Sequence, residues 1–248
     1  MKIAHISDFH LRHHLPGSSS LEQRRSRNMP DRISEAVHRM AAQSPDLVAV
    51  TGDLVDHPFE GMDDPENIRA GEKDLRLVRD LFAPLTCPVA FLFGNHDRPA
   101  SFQNIYGDLP HDFTVAGHRI LLFFDHEAQD HFPERTHEQL ERFQAALSDN
   151  NPHPQIHLQH YLIAPTRNEG YPHTYRNATV LKRALQKDSR VRLVLNGHYH
   201  AGEPLSRDGH VYFSTARAFC EPPHPFRIYT LTEDQITQAE HNLMEAHE

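Results

Sequence analysis

Short apolar runs closed by Asp, Gly, Pro or Asn alternate along the chain with stretches whose apolar positions recur every three to four residues. The runs KIAHIS at 2–7, LVAVT at 47–51, PVAFLF at 88–93, HRILLFF at 118–124, QIHLQH at 155–160 and VRLVLN at 191–196 predict β-strands. They are short, rich in β-branched or aromatic residues, and bounded by turn formers. Between them Ile33, Val37, Met40 and Ala41 share a helical face, as do Leu75, Val78, Leu81 and Phe82, and later Leu140, Phe143 and Leu147. Thr136 followed by Gln139 reads as a capping box opening the third helix, which puts His137 and Glu138 on its first-turn surface. From residue 202 the texture changes to HVYFS at 210–214 and FRIYTL at 226–231, a tail expected to be β-rich and antiparallel. Alternating strands and helices predict an α/β layered fold. The proline-dense patches at 152–154 and 222–225 are too short to separate two cores, so residues 1–248 read as a single domain.

Composition narrows the classes. With 25 basic and 34 acidic side chains the net charge is −9, and the basic residues are dispersed, which argues against a dedicated nucleic-acid-binding domain. The run Arg24, Arg25, Arg27 reads as a solvated loop face. Two cysteines, Cys87 and Cys220, exclude a disulfide framework and a four-cysteine zinc module, which suits a reducing cytosol. No apolar stretch approaches the roughly 20 residues of a membrane span. The N-terminus reads as a first strand, not a signal peptide, so a cytoplasmic protein is expected. The 22 histidines are the compositional oddity.

Their positions carry the chemistry. Asp8 and His10 follow the first strand, Gly52 and Asp53 the second, and Gly94, Asn95, His96 and Asp97 the third. His160 ends the fifth, and Gly197, His198, Tyr199 and His200 follow the sixth. Strand C-terminal ends converge on one edge of such a fold, where ligands bind. The alternating pairs Asp8/His10 and His198/His200 would each present both side chains on one side of an extended segment. Asp, Asn and His without thiolate suit Mn, Fe or Zn, and seven donors suit two ions bridged by a shared carboxylate. Two such ions clamp the attacking and leaving oxygens of a phosphoryl displacement. Each short motif alone more often makes a turn or a helix cap; five in order, each at a strand end, point to phosphate-ester hydrolysis.

These blocks resemble the calcineurin-like metallophosphoesterases, with Asp-x-His, Gly-Asp-x-x-Asp, Gly-Asn-His-Asp, His and Gly-His-x-His spread over residues 3 to about 215. The resemblance implies a four-layer αββα sandwich of two mixed β-sheets flanked by helices, and a dinuclear centre of divalent or trivalent ions. By motif, Asp8, His10 and His200 would hold one metal and Asn95, His160 and His198 the other, with Asp53 bridging. His96 would stabilise the scissile phosphate or protonate the leaving oxygen, Asp97 would orient His96, and a metal-bound hydroxide would be the nucleophile. More narrowly, GDLVDH, CPVAFLFGNHDRPASFQNIYGD and THEQLERFQAAL resemble the class III cyclic nucleotide phosphodiesterases and their glycerophosphodiesterase relatives. In QHYLIAP, where that branch has His-His-Pro-Pro, the second His is Tyr161 and the proline moves to Pro165. His57 stands where some phosphatase branches carry a phosphate-gripping arginine.

The function expected is therefore a phosphodiesterase acting on a small-molecule or nucleotide ester. The alternatives are a phosphomonoesterase with the same centre, a DNA nuclease, or a non-catalytic scaffold; a homo-oligomer is compatible with any of them. His13, His14 and Arg98 adjoin the metal motifs, and Tyr161, Arg167, Tyr171 and His173 lie in or beside the loop after His160. These seven are the candidate substrate contacts, since loops on a ligand-bearing edge set specificity.

Overall fold

In the computed structural model, which describes residues 1–58 and 60–244, β1 (Lys2–Ile6), β2 (Leu47–Thr51) and β3 (Val89–Leu92) are parallel neighbours. The crossovers carry α1 (Met29–Ala42) and α2 (Pro65–Phe82), and α3 (Pro99–Tyr106) follows β3. Side chains alternate across these strands because the strand period is two. Ala4, Ile6, Val48, Val50 and Phe91 pack with Ile33, Val37, Leu75 and Val78 of the helices. Ile3, Leu47, Ala49, Ala90 and Leu92 point the other way. Burial on both faces is what makes these strands read as nearly continuous apolar runs.

The chain then builds a second sheet. β4 (Asp112–Val115) and β5 (His118–Leu122) form a hairpin, and β8 (Gln155–Leu158) and β9 (Val191–Asn196) continue the sheet in parallel. Before β8 come the two-residue strands β6 (His126–Glu127) and β7 (Pro133–Glu134) and then α4 (His137–Ser148); α5 (Ala178–Lys187) precedes β9. β10 (Glu203–Asp208) and β11 (Val211–Thr215) complete the order β10-β11-β9-β8-β5-β4. β12 (Pro225–Leu231) and β13 (Ile236–Asn242) return to the first sheet, giving β13-β12-β1-β2-β3. Ile120, Leu122, Ile156, Leu158, Leu193 and Leu195 meet the inner residues of the first sheet. On the outer face Leu121, Phe123 and Val194 pack on Phe143, Leu181 and Leu185 of α4 and α5. The result is the four-layer αββα sandwich. No helix among the described residues is long and apolar enough to cross a membrane.

Two local expectations change, and one strand appears that none foresaw. The tail is not uniformly antiparallel, because β11 lies parallel to β9 while β12 and β13 join the other sheet. Thr136 does sit at the N-cap of α4, but its side chain makes no capping bond. Gln139 Oε1 instead accepts from the Phe124 N–H at 3.1 Å and from Arg142 of its own helix at 2.9 Å, so these partners displace the capping box. The strand β13 buries only Ile236 along its length and is held by register with β12, which explains why no apolar run announced it.

Candidate metal centre and active-site cleft

The C-terminal ends of β1, β2 and β3 in one sheet and β8 and β9 in the other converge. The first sheet supplies Asp8, His10, Asp53, Asn95 and His96; the second supplies His160, His198 and His200. Asp8, His10, Asp53 and His200 bring one ligand atom each to within 4.8 Å of one another, and so do Asp53, His160 and His198. Asp53 belongs to both groups. Its Oδ2 lies 3.3 Å from His10 Nε2 and 3.6 Å from His160 Nε2, between the two clusters, while Oδ1 accepts the His96 backbone N–H at 2.9 Å. Asn95 Oδ1 is 3.3 Å from His160 Nε2, which adds it to the second cluster.

Convergence comes from backbone turns, not from strand alternation. Asp8, His10, Asp53 and His198 have φ of 58°, 44°, 50° and 67°, a left-handed region that non-glycine residues seldom adopt and that persists only where surroundings enforce it. Asp8 N–H donates to Gly52 O at 3.0 Å and His10 N–H to Asp53 O at 2.9 Å, locking the first loop onto the second. His198 N–H points at both oxygens of Asp8, at 3.1 and 3.2 Å. At Gly94 a Cβ would overlap Asp53 Oδ1 and approach His160 Nε2 to 2.5 Å, so only glycine lets these donors meet.

Ring orientation is fixed from behind. His160 Nδ1 donates to the Thr51 carbonyl at 2.6 Å and His200 Nδ1 to the Glu221 carboxylate at 2.6 Å. Each bond keeps a proton on Nδ1, so that once the ring is neutral its Nε2 lone pair faces the cluster. Glu221 belongs to none of the motif blocks and was not legible as a partner of His200. Gln159, bonded to the buried Arg135 and to the Tyr161 carbonyl, anchors the chain at His160.

The donor set fits a metal pair. The seven motif residues offer carboxylate, carboxamide and imidazole donors, within reach of both hard and borderline ions, and the Cys220 sulfur also lies within 4.8 Å of ligand atoms of His10 and His200. His198 Nε2 is buried with no hydrogen-bond partner among the described residues, an unsatisfied ligand position that a cation would complete. Burial holds the His10 and His198 rings well below the usual imidazole range, in the neutral form that ligates. For His160 burial acts in the same sense, but the charge and hydrogen bond of Asp53 outweigh it and raise that ring to about 9. The same attraction, together with His10 and His96, overcomes burial to hold Asp53 well below the ordinary carboxyl range.

One assigned role changes hands. The Asp97 carboxylate accepts the backbone N–H groups of Leu54, Val55 and Gly94 at 3.0, 2.9 and 2.9 Å and is spent tying two motif loops together. The residue facing His96 Nδ1 is Asp56, at 2.9 Å. Asp56 is the second aspartate of Gly-Asp-x-x-Asp, so the spacing that could have found it was present. Although burial opposes it, hydrogen bonds from His10 and His96 hold Asp56 firmly ionised.

A cleft of about 350 Å³ opens over the cluster, lined by Asp53, Asn95, His96, His198 and His200 together with Tyr171, His173, Tyr199, Leu21 and Arg24. Tyr171 and His173 thus reach the cleft, and Arg167 lines the next compartment with its guanidinium 5.9 Å from the Tyr199 ring centroid. Four expected contacts do not line it. His13 and His14 are exposed, their loop fastened to the buried Asp74 through both backbone N–H groups. Arg98 pairs with Asp63, and Tyr161 is buried against the rings of His160 and His198. His57, next to the second motif, lies buried against Gly71 of α2 and shapes no entrance. Arg24, expected on a solvated face, is in the cleft.

Comparison with known proteins agrees with this geometry. A family model for calcineurin-like phosphoesterases matches residues 1–202. A probable cyclic nucleotide phosphodiesterase of Synechococcus sp. is 23% identical over 203 residues, covering 78% of this chain and 74% of that protein. A dimetal phosphatase from Danio rerio superposes with a TM-score of 0.74 at 17% identity, over 98% of this chain and 96% of its own. The purple acid phosphatase PPD1 from yellow lupin gives 0.64 at 13% identity, over 97% and 51%. With the motif loops, the two-sheet sandwich and the matched span in agreement, the chain belongs to the calcineurin-like phosphoesterase family and is a phosphoric ester hydrolase.

Proposed function

We propose that this protein is a dinuclear metal-dependent phosphodiesterase acting on a small-molecule or nucleotide ester. The observation that carries the diester reading is the continuation of the cleft. Beyond the cluster, His173 and Tyr199 are shared with a second compartment of about 360 Å³ lined by Thr166, Arg167, Asn168 and Glu169. A phosphomonoester has one substituent to house, a diester two. The similarity to a probable cyclic nucleotide phosphodiesterase supports the same reading.

Asp8, His10 and His200 would hold one ion, Asn95, His160 and His198 the other, and Asp53 both, with Mn, Fe or Zn all compatible with the donors. When bound, the pair supplies Lewis acidity to the phosphoryl group and draws a nucleophile from water at neutral pH. Asp56 holds His96 by Nδ1, which turns Nε2 toward the substrate for donation to the leaving oxygen. Asp97 keeps the loops bearing Asp53 and His96 at fixed separation, a structural service. Tyr171, braced by its hydroxyl on Glu127 at 2.8 and 2.9 Å, and His173 form the wall against which the second ester group lies. A reducing cytosol suits this reading, since Cys87 and Cys220 are unbridged.

Purified protein supplied with Mn²⁺ should release nitrophenol from bis(p-nitrophenyl) phosphate faster than from p-nitrophenyl phosphate. Asp53→Ala and His96→Ala should each lower turnover by at least about 10²-fold. Unchanged turnover in both variants refutes the mechanism, and a strong preference for the monoester selects the phosphomonoesterase reading instead.

A further inference from the structure

Arg24 lines the cleft beside His10 and Asp56, on the segment that leads into α1. Its side chain is only 11% exposed, yet its hydrogen bonding is nearly empty. Nη1 lies 3.3 Å from His10 Nδ1 and 3.6 Å from Asp56 Oδ1, and Nε is buried with no hydrogen-bond partner among the described residues. The first contact weakens once His10 presents Nε2 to the metal cluster, because Nδ1 then carries the ring proton and cannot accept. The second exceeds hydrogen-bond length.

Asp56 does not need Arg24 as its counter-ion. Arg12 Nε already donates to Asp56 Oδ2 at 2.8 Å, and the other oxygen faces His96 Nδ1 at 2.9 Å. Glu221, the next carboxylate in the field of Arg24, is engaged with His200 Nδ1 at 2.6 Å. Arg24 therefore brings a fixed positive charge and several N–H donors to a largely water-excluded wall where, among the described residues, its only side-chain contact within hydrogen-bond length is His10 Nδ1. Burying a guanidinium in that state is costly unless an anion arrives to complete it. Its planar fork matches two oxygens of a phosphoryl group.

From this we infer that Arg24 is a substrate-binding residue that grips the non-bridging oxygens of the bound phosphate ester. The inference rests on reading the cleft as the phosphoesterase site. It assigns to the segment before α1 the anchoring that an arginine at the position of His57 would otherwise give.

Inorganic phosphate, titrated calorimetrically into the Mn²⁺-loaded protein, tests it without turnover. Arg24→Gln should raise the phosphate Kd by about tenfold or more while metal content stays that of the wild type. Arg24→Lys, which keeps the charge but loses the fork, should fall between the two. In hydrolysis assays the loss should appear mainly in KM for bis(p-nitrophenyl) phosphate. A phosphate Kd in Arg24→Gln within about twofold of wild type overturns the assignment, as does a metal-loaded wild type that binds no phosphate. If Arg24→Gln loses metal or fails to fold, Arg24→Lys decides, and wild-type phosphate affinity there overturns the assignment. Failure of diester hydrolysis with a normal Arg24-dependent phosphate Kd would instead count against the proposed function alone.

Discussion

Two aspartates near His96 carry different loads. Asp56 faces His96 Nδ1 and also supports His10, so Asp56→Asn should reduce kcat by about 10²-fold at saturating Mn²⁺ with folding kept, since partners behind a working histidine are worth about that much. Asp97 instead satisfies three buried backbone N–H groups. Asp97→Ala should therefore destabilise the protein by roughly 2–4 kcal/mol in urea unfolding, because it strands those donors. Equal unfolding midpoints for Asp97→Ala and wild type would contradict that division. The sequence placed both aspartates in the right motifs and misassigned which one faces His96, because adjacency in the chain says nothing about where a carboxylate points in a turn. The surplus histidines also divide by surroundings. His5 bonds Thr51 at 2.9 Å, His157 bonds Gln155 at 2.8 Å, and His224 Nδ1 donates to the Phe219 carbonyl at 2.7 Å. These three are buried polar residues with partners, not ligands in waiting.

At the scale of elements, the strands that carry the site were the most legible, because both faces of β1, β2, β8 and β9 are buried and their apolar runs are nearly unbroken. The loops after them were legible as chemistry but not as geometry. Left-handed φ at Asp8, His10, Asp53 and His198 leaves no signal in residue type, since none of the four is glycine. Glycine does mark the closest approach: Gly94→Ala would put a methyl group into Asp53 and His160. That variant should keep its far-ultraviolet circular dichroism and lose at least half of its bound Mn²⁺ by elemental analysis; full metal content would show that the loop can yield. The elements that went unread, β4, β6, β7, β10 and β13 together with α3 and α5, are short or lie at sheet edges. Their identity comes from a neighbour's hydrogen bonds more than from their own pattern.

Over the whole molecule, the core histidines couple stability to pH. Burial foremost, with Arg227 for His5 and Arg135 for His157, lowers both rings from 6.5 to about 3. In the unfolded chain they regain their ordinary value, so below about 6.5 the unfolded state binds the additional protons. Their contribution is fully present above that value and is lost as pH falls from about 6.5 toward 3. Between pH 7 and about pH 5.5 each should cost roughly 1 kcal/mol of stability. His157→Gln should flatten this slope; an identical slope in the variant would place the pH dependence elsewhere. Read alone, the sequence determined the α/β class, the strands that bear the site, and the residue types of a two-metal phosphoesterase, because burial pattern and motif spacing are written locally. Only the tertiary structure decided that two sheets share the site, that Asp56 rather than Asp97 faces His96, that Glu221 orients His200, and that Arg24 lines the cleft. Those facts depend on where distant loops meet and on which N–H groups claim each carboxylate, and neither quantity is local to any stretch of chain.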